Sequence, residues 1–566
     1  MWGPSLGRWE GFRPTMLEDL DLSRAQQDQP YALECLRRLL SLVEEWAAQM
    51  AALQEEVQRQ RDEIARLKGE QGKPDIKANT RKAPPENYSS ERERHTPKAW
   101  SKGSKAAEIE IHRQEVLEID RANLPPDAHF KGYEDVPIQD VIFRPENVLF
   151  HKAKYYSKVE RQAYLAPLPE GYQGQFGPGI KSLIKVLYFG SRMTEPKIAE
   201  LLHNVGVRIS HGQVSNLLIE HQEAFHEEKD AMCQAGLAST PWQHLDQTGA
   251  RVDGQNQHCQ VLCNPLYTAY LTTPSKDRQS VLDVLRNGRP RIYLLNEEAE
   301  ELLGQLGLSR VVRAQLKALP FGQLLDEKGL TALLAERLPG LGSQQARWVL
   351  DAAAIAAYHM EEGYPVVKLL VCDDAPQFRH LTEELALCWV HEGRHYTLLT
   401  PYLAPHRQLV EAFRGRFWDY YRELLVYREQ PSPAEATRLS ARFDELFATV
   451  TGYQLLDARI AKTRDKKEAL LKVLVHPEIE LHNNPAELGA RATVRKRVVS
   501  YGPRSEAGKA AWDTFMSLAE TTRKLGISFF DYIHDRIRRA HQIPRLDAII
   551  TARAESLRLS PSWIIS

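Results

Sequence analysis

The 566-residue sequence predicts an α/β fold divided among several domains. Residues 366–372, V-V-K-L-L-V-C, form a short apolar run of the kind found in a buried strand, and Asp373 follows it directly. Two more strand-like runs, Gln257 to Cys263 and Leu266 to Thr272, precede a helical pattern from Lys276 to Leu285. Asp373 therefore marks the carboxyl end of a strand, where open α/β sheets usually place their chemistry.

The order of these elements matches the opening of a ribonuclease-H-like fold. Asp246 lies in an extended segment at 241–250, P-W-Q-H-L-D-Q-T-G-A, which supplies the first of three antiparallel strands before the helix and the 366–372 strand. The first and fourth strands of that fold are neighbours, so we expect Asp246 beside Asp373. The two aspartates are 127 residues apart (373 − 246 = 127), and an inserted helical subdomain at about 294–360 accounts for the excess.

The chain downstream of Asp373 continues this predicted catalytic domain, which spans 236–540. A fifth strand is expected from Leu385 to His391. A second helical insertion follows at about 397–474, and residues 541–566 form a C-terminal tail.

Composition and charge limit the function classes. The formal net charge is −1, so affinity for nucleic acid must come from local patches. Six scattered cysteines argue against a disulfide scaffold and suit a reducing compartment. No apolar run reaches transmembrane length, and the N-terminus lacks the pattern of a signal peptide. We therefore expect a cytoplasmic protein with no membrane partner.

A seven-residue repeat in 33–68 predicts a coiled coil. Self-association is the favoured interpretation, and one long helix packed on its own protein is the alternative. Residues 1–32 are predicted to be disordered, and 69–107 form a flexible basic linker, which either touches phosphates or acts as a tether. Nine of ten seam positions are apolar: Leu36, Val43, Met50, Val57 and Ile64 at a, with Leu39, Trp46, Leu53 and Leu67 beside Gln60 at d.

Residues 108–170 are predicted to form a small β-rich module. Pro137 would restrict its own span to an edge strand or a turn. The module has no cysteine, so it cannot build a thiolate zinc site. The strand-like spans are 109–111, 136–138, 141–143 and 148–150.

A helix-turn-helix pattern lies within 171–235. Thr194 is predicted to cap its first helix, Gly206 to make the turn, and Ser210 to cap the second helix. Contact with a DNA groove is one interpretation and an ordinary helical hairpin is the other. The residues expected to face DNA are Arg208, His211, Gln213, Ser215 and Asn216.

Glu487 is a third acidic candidate, in N-N-P-A-E near a predicted helix start. If Glu487 is considered alone, its carboxylate is interpreted as complementing the helix dipole. Three carboxylates on two strands and a helix can bind two divalent cations, which clamp the attacking and leaving oxygens of a phosphoryl displacement. Nearby basic side chains would bind the phosphodiester. Those that follow on the same helix are Arg491, Arg495, Lys496 and Arg497.

These motifs, in this order, resemble a DDE transposase of the insertion sequence 66 family. The resemblance rests on H-L-D-Q-T-G-A-R-V around Asp246, Asp373 followed by C-W-V-H, and N-N-P-A-E with R-K-R downstream. It continues through S-E-A-G-K-A-A-W and Y-I-H-D-R-I to about residue 540, and includes the N-terminal coiled coil and linker. It assigns the catalytic, metal-binding triad to Asp246, Asp373 and Glu487. Asp373 is preferred to Asp374 because the family's aspartate is the first residue after the strand.

The resemblance implies an enzyme that cuts transposon-end DNA and joins the freed 3′-OH to target DNA. It implies two Mg²⁺ or Mn²⁺ ions, DNA as partner and a homo-oligomer, and it allows for accessory transposition proteins. The sequence departs from the family by lacking a cysteine zinc motif in 108–165 and by its long 294–360 insertion. A non-catalytic DNA-binding relic, and a nuclease that cleaves without joining, remain as alternatives.

Two further residues near the fifth strand are weighed separately. Cys388 and His391 have the Cys-x-x-His spacing of half a zinc site, but no second pair stands at a suitable distance. Cys388 is therefore assigned to the core. His391 and Arg394 are expected at the rim of the active site, with Arg394, Arg495, Lys496 and Arg497 as DNA contacts.

Overall fold

The computed structural model describes residues 21–67, 110–120, 124–125, 128–172 and 174–557. The predicted linker lies outside the described residues, as do the first twenty residues of the predicted disordered N-terminus and the end of the predicted tail, 558–566.

One helix of 39 residues, α2 (Gln29–Leu67), fills the segment predicted as a coiled coil, after the short α1 (Leu22–Gln27). The face of α2 that carries the heptad seam is open to solvent. Packing of this seam against the helix of a second chain thus stays a prediction. The seam side chains range from 38% to 57% exposed and include Leu36, Leu39, Val43, Met50, Leu53 and Val57.

A different face of α2 docks on the rest of the chain. Its Glu44 is buried and accepts hydrogen bonds from the backbone N–H groups of Tyr402 and Leu403. The same carboxylate lies 3.2 Å from Nδ1 of His406. Glu44 thus occupies the N-terminal end of a helix that begins at Ala404, where a carboxylate satisfies free N–H groups.

The strands predicted at 136–138, 141–143 and 148–150 are wrong, and the span at 109–111 lies partly outside the described residues. Residues 128–152 run without helix or strand, and a hairpin forms instead from Lys154–Ser157 and Gln162–Leu165. Apolar alternation alone does not make a strand, because the backbone groups of a strand need a neighbouring strand to pair with.

The two helices predicted at 194–218 are present and are joined by a turn at Gly206, whose φ is +86°. Ser210 caps the second helix in a reciprocal capping box with Gln213. Thr194 occupies the N-cap position of the first helix, although its side chain makes no capping hydrogen bond. The helices of this region are α3 (Pro178–Lys185), α4 (Glu195–Asn204), α5 (His211–Ile219) and α6 (Glu223–Ser239), with a π-helical turn at Val186–Gly190.

A five-stranded mixed sheet confirms the α/β class. Its order is β3-β2-β1-β4-β5, with β1, β2 and β3 antiparallel and β4 parallel to both β1 and β5. The predicted neighbourhood of the first and fourth strands is therefore present. The strands are β1 (Trp242–Val252), β2 (Gln255–Cys263), β3 (Thr268–Thr273), β4 (Leu369–Cys372) and β5 (Glu384–Leu387).

Helical insertions separate these strands, as predicted. Between β3 and β4, α7 (Arg278–Leu285) is followed by a helical subdomain that also holds a small pair of strands, Tyr293–Leu294 with Leu324–Leu325. The helices of the first insertion are α8 (Glu297–Gln305), α9 (Arg310–Leu316), α10 (Glu327–Arg337) and α11 (Ser343–His359).

The fifth strand is shorter than predicted, because a helix begins directly after it. The Cys388 thiol accepts a hydrogen bond from the backbone N–H of His391 and so caps this helix. The helices that follow are α12 (Trp389–Thr397), α13 (Ala404–Glu429), α14 (Pro433–Phe447), α15 (Gln454–Arg464) and α16 (Lys467–Leu470).

Alternate side chains of the sheet enter two hydrophobic cores. Trp242, Leu369 and Val371 pack with α12 to α15. Leu245 and Leu370 pack in a second core with helices of the first insertion and the C-terminal region. The last four helices are α17 (Asn484–Ser500), α18 (Glu506–Lys524), α19 (Phe529–Arg538) and α20 (Leu546–Ser556).

Gly489 lets α17 approach the sheet closely. A β-carbon on this residue would stand 2.7 Å from Cγ1 of Val261 and 3.4 Å from the hydroxyl of Tyr270. Val261 is the cross-strand partner of Asp246 in β2. The missing side chain at Gly489 thus sets the distance between α17 and the part of the sheet that carries Asp246.

Among the helices that the structure describes, none combines the length and the apolar character needed to cross a bilayer.

Replacing Gly489 with Ala is expected to destabilise the protein by about 1–3 kcal/mol, because the added methyl group overpacks the contact with Val261. Thermal unfolding measured by calorimetry would show a lower melting temperature. Gly415 is a matched control, since it lies within α13 and a β-carbon there would meet nothing within 4 Å. Gly415→Ala is expected to stabilise by about 0.5–1 kcal/mol, and equal effects of the two substitutions would contradict this account.

Candidate active site

Asp246 and Asp373 lie level with each other on neighbouring parallel strands. The register pairs Trp242 with Leu369, Gln243 with Leu370 and His244 with Val371, an offset of 127 residues. Asp246 and Asp373 have the same offset (373 − 246 = 127). Continued beyond its last pair, this register sets Asp246 opposite Asp373, which directly follows the last residue of β4.

Burial, together with the negative charges around it, disfavours the ionised form of Asp246. Burial raises the pKa of Asp246 to about 7, and the charges of Asp373 and Glu487 act in the same direction. A hydrogen bond from the backbone N–H of Gln247 and the positive charge of Arg394 oppose this shift. Three carboxylates therefore interact electrostatically at one end of the sheet, as the sequence predicts.

Glu487 belongs to the first turn of α17, and an arginine fork holds it. Nη1 and Nη2 of Arg394 donate to Oε1 and Oε2 of Glu487 at 3.2 and 2.9 Å. Such a bidentate pair is strong and directional. Arg394, predicted as a DNA contact, thus binds the carboxylate of Glu487 in this structure.

Asp373 and Asp374 differ in the contacts of their side chains. Asp374 is engaged by Lys466 at 2.6 Å and by Arg379 at 2.9 Å. Although burial opposes it, these hydrogen bonds and charges lower the pKa of Asp374. Asp373 accepts a hydrogen bond from the backbone N–H of Ala375. Asp374 is therefore a structural ion-pair residue, whereas Asp373 faces the other carboxylates.

A buried polar network behind the carboxylates escaped the sequence analysis. His244, two residues before Asp246, pairs with Glu480 through Nε2 and lies 3.1 Å from Oδ1 of Asn483 through Nδ1. Burial would raise the pKa of Glu480, but His244 lowers it to about 2. The sole sequence signal was a histidine inside an otherwise apolar strand start, which does not reveal its partners.

Asn483 and Cys388 tie the starts of two helices together. The amide of Asn483 donates to the carbonyl of Leu245 at 2.7 Å, and its backbone N–H donates to the Cys388 thiol at 3.3 Å. The thiol also caps α12, and burial raises the pKa of Cys388 to about 11. It therefore stays protonated while it joins α12, which carries Arg394, to α17, which carries Glu487.

The donor chemistry of the site fits a hard divalent cation, since all three candidates are carboxylates. In the described part of the chain, however, no three His, Cys, Asp or Glu side chains are grouped closely enough to hold a metal ion. Asp246 and Asp373 are level and their repulsion would be relieved by a cation. Glu487 would join them on release from Arg394, its partner in the fork.

The residues predicted to face DNA in and just before the second helix of the helix-turn-helix differ in their exposure and contacts. Arg208, His211 and Asn216 are exposed, and Ser215 is half-buried. Gln213 is used locally, because its amide completes the cap of Ser210 and donates to Gln175 at 3.3 Å.

Lys496 is not a DNA contact, which corrects the prediction. Its ammonium group is buried 3.2 Å from the centre of the Tyr188 ring and donates to the carbonyl of Met193 and the hydroxyl of Ser500. Burial lowers the pKa of Lys496 to about 7. In R-K-R, helical geometry turns the central residue inward, while Arg495 is exposed and Arg497 is half-buried.

Comparison with known proteins places the chain beside one relative. The uncharacterized protein y4jO from Sinorhizobium fredii is 35% identical over 324 residues, which is 57% of this chain and 100% of that protein. No model of a known protein family matches the chain.

Replacing Asp246 with Asn is expected to stabilise the metal-free protein at pH 8 by roughly 2 kcal/mol. The raised pKa of Asp246, about 7, means that the folded state binds this proton more tightly than the unfolded chain. The stability that this proton gives to the wild-type protein is complete below the pKa of Asp246 in the unfolded chain, and it is lost as the pH rises through 7. Asn removes the buried charge, so its advantage should shrink towards pH 5. Calorimetry in EDTA at both pH values measures this difference.

Asp374→Asn is the matched control. Its carboxylate has a lowered pKa and two cationic partners, so its removal should lower the melting temperature at pH 8. An Asp246→Asn variant that is less stable at pH 8 than at pH 5, relative to wild type, would contradict the conclusion that burial and neighbouring negative charges disfavour ionised Asp246.

Proposed function

This chain belongs to the same protein family as the uncharacterized protein y4jO of Sinorhizobium fredii, and we propose that it is a metal-dependent DDE transposase resembling the insertion sequence 66 family. It binds transposon-end DNA, cleaves it and joins the freed 3′-OH ends to target DNA. The level placement of Asp246 and Asp373 on adjacent parallel strands, with Glu487 interacting from α17, carries the proposal.

The strand order supports a ribonuclease-H-like catalytic domain. Three antiparallel strands are followed by a fourth that pairs in parallel with the first, and a fifth lies outside the fourth. The two aspartates leave the first and fourth strands, which is where such a catalytic domain needs them. The helical insertions, one between β3 and β4 and one after β5, leave this order intact.

The chain's own residues provide a preorganised anionic site. Asp246, Asp373 and Glu487 would hold the cations, and the network of His244 and Asn483 fixes β1 against the start of α17. When bound, two Mg²⁺ or Mn²⁺ ions polarise the phosphodiester and stabilise the attacking and leaving oxygens. In joining, the 3′-oxygen forms a bond to a target phosphorus as the target strand's own 3′-oxygen leaves.

Contacts to DNA would come from two surfaces. Arg208, His211 and Asn216 lie exposed around the start of α5, and Arg495 lies exposed on α17. Arg497 reaches over β1, with Nη1 3.3 Å from the position of a β-carbon on Gly249. Arg394 could bind a phosphate once it has released Glu487.

The exposed heptad seam of α2 supports a homo-oligomer. An apolar stripe with a seven-residue period is the pattern that packs against a second helix. Because α2 is anchored through Glu44 on its other face, a coiled coil formed there would hold two catalytic domains at a defined position. Two transposon ends must be brought together before joining, and a dimer provides for this.

Asp246→Asn, Asp373→Asn and Glu487→Gln should each reduce strand joining to below about 1% of the wild-type rate while DNA binding stays within a few-fold. Purified protein would be incubated with Mg²⁺, the end DNA of its own element and a target plasmid, and joined products separated on gels. Asp374→Asn is the control and should retain joining, because its carboxylate serves ion pairs. If Asp374→Asn is inactive and Asp373→Asn active, the assignment within the pair is wrong.

The wild-type result also separates the alternative functions. Cleavage without joined products would favour a nuclease. DNA binding with neither cleavage nor joining would favour a non-catalytic DNA-binding protein.

A double change of Val43→Glu and Met50→Glu should reduce the molar mass in solution to that of one chain, because it places charges in the heptad seam. Multi-angle light scattering measures the subunit count. Glu44→Gln is the control, since it weakens the docking of α2 on α13 but leaves the seam apolar. An unchanged mass for the double variant would remove the coiled-coil proposal.

A further inference from the structure

The outer face of α17 continues from the carboxylate site as a row of arginines. Arg491 and Arg495 follow Glu487 at intervals of four residues, so the three side chains lie along one side of the helix. Both arginines are exposed, and Val498, next on the same side, is 70% exposed. The opposite side of α17 is buried, through Ala486, Gly489, Ala490, Thr493 and Lys496.

These two arginines have no acidic partner, unlike several of the exposed arginines elsewhere in the described part of the chain. Arg523 on the neighbouring α18 pairs with Glu520, and Arg438 on α14 pairs with Glu423 and Glu435. In the described part of the chain, Arg491 and Arg495 have neither an ion pair nor a hydrogen bond to a side chain. Two neighbouring unpaired guanidinium groups repel each other, and an anionic ligand would relieve that repulsion.

Tyr501, at the end of α17, presents an aromatic ring to solvent in a strained conformation. Its φ is +60°, a region that large side chains avoid, and it is 81% exposed. Such strain persists where the surroundings impose it, and it often marks a functional position.

The turn after Tyr501 is braced against the tip of the β1–β2 hairpin. Gly502, with φ of +93°, lies so close to Arg251 that a β-carbon would stand 2.3 Å from its carbonyl oxygen. The backbone N–H of Asp253 donates to the carbonyl of Pro503 at 3.0 Å. The backbone of Tyr501 is therefore held in place, and its exposure does not come from a loose loop.

We propose that the outer face of α17 is a nucleic-acid track, in which Arg491 and Arg495 bind two phosphates of the strand leaving the carboxylate site, about two nucleotides apart, and Tyr501 stacks on an unpaired base at its far end. The proposal rests on the proposed function and extends it to the substrate. The track requires DNA whose bases are open near the site, because a paired base has no free face for Tyr501. Lys496, buried on the other side, takes no part.

The dimensions of the helix match a nucleic-acid strand. At 1.5 Å per residue, Arg495 lies about 12 Å and Tyr501 about 21 Å along the axis from Glu487. One DNA strand carries a phosphate about every 3.4 Å of helix axis. Arg495 would therefore meet the backbone roughly three to four nucleotides from the carboxylates, and Tyr501 a base about six nucleotides away.

The test measures DNA binding by the full chain in EDTA, with fluorescence anisotropy as the readout, at several salt concentrations. The probes are a labelled duplex with a run of unpaired thymines in one strand and the same duplex fully paired. Arg491→Gln with Arg495→Gln should lower the magnitude of the slope of log K against log salt by about 2, one for each lost phosphate contact. Arg523→Gln, on the neighbouring helix, is the matched control and should leave the slope unchanged.

Substitutions of Tyr501 separate stacking from folding. Tyr501→Ala should weaken binding to the partly unpaired probe about 10-fold, with less than about 2-fold loss on the paired probe, and Tyr501→Phe should behave as wild type. Tyr501→Asn should weaken binding equally while leaving the melting temperature unchanged or higher, since Asn tolerates a positive φ. Loss of binding together with loss of stability would overturn the stacking role.

The outcomes distinguish the track from the proposed function. If the wild-type chain binds neither probe, both fail. If it binds and the double arginine variant keeps the wild-type slope, the track fails and the transposase proposal stands. If that variant keeps the slope but changes the subunit count in light scattering, the row belongs to a protein interface and the track is overturned.

Discussion

The placement of two carboxylates level with each other on adjacent parallel strands is the constraint on which the rest of this site depends. The register of parallel pairing between β1 and β4, continued past its last pair, brings Asp246 and Asp373 to the same height. Glu487 adds a third negative charge from α17. Partly buried like charges repel strongly, so the surroundings have to offset this cost with positive charge or with a bound cation. The fork of Arg394 around Glu487 supplies such a charge from the chain itself.

A second constraint is the rigid placement of the helices that bring Arg394 and Glu487 together. The Cys388 thiol caps α12 and accepts from Asn483 at the start of α17. Gly489 allows α17 to lie against Val261, the cross-strand neighbour of Asp246. A carboxylate on a helix can be aimed at a sheet when the helix is fixed close to it. The buried ion pair of His244 and Glu480 lies beneath this arrangement, and such pairs are costly unless every partner is in place.

The basic side chains of α17 show how packing divides residues of like charge into different roles. Lys496 sits in a buried cage against Tyr188, while Arg491 and Arg495 project into solvent without acidic partners. Arg497 extends over Gly249 on the sheet. Helical periodicity separates neighbours in sequence by 100° around the axis, so a run of basic residues is not one surface. R-K-R is therefore not a single basic surface, and the predicted DNA contact at its central residue, Lys496, is wrong for this reason.

The sequence by itself determined the strands and helices with strong local signals and the positions of the acidic residues. Local sequence specifies three of these elements. A strand follows from the apolar run before Asp373, and helices follow from the capping pattern at Ser210 and from the heptad of α2. The spans in 108–165 had alternation but no strand to pair with, and pairing is a property of the whole fold. Tertiary structure alone decided that Arg394 grips Glu487, that Asp374 is committed to Lys466 and Arg379, and that Lys496 is buried. Each of these contacts joins residues from different elements, so their distances follow from packing and not from local sequence pattern.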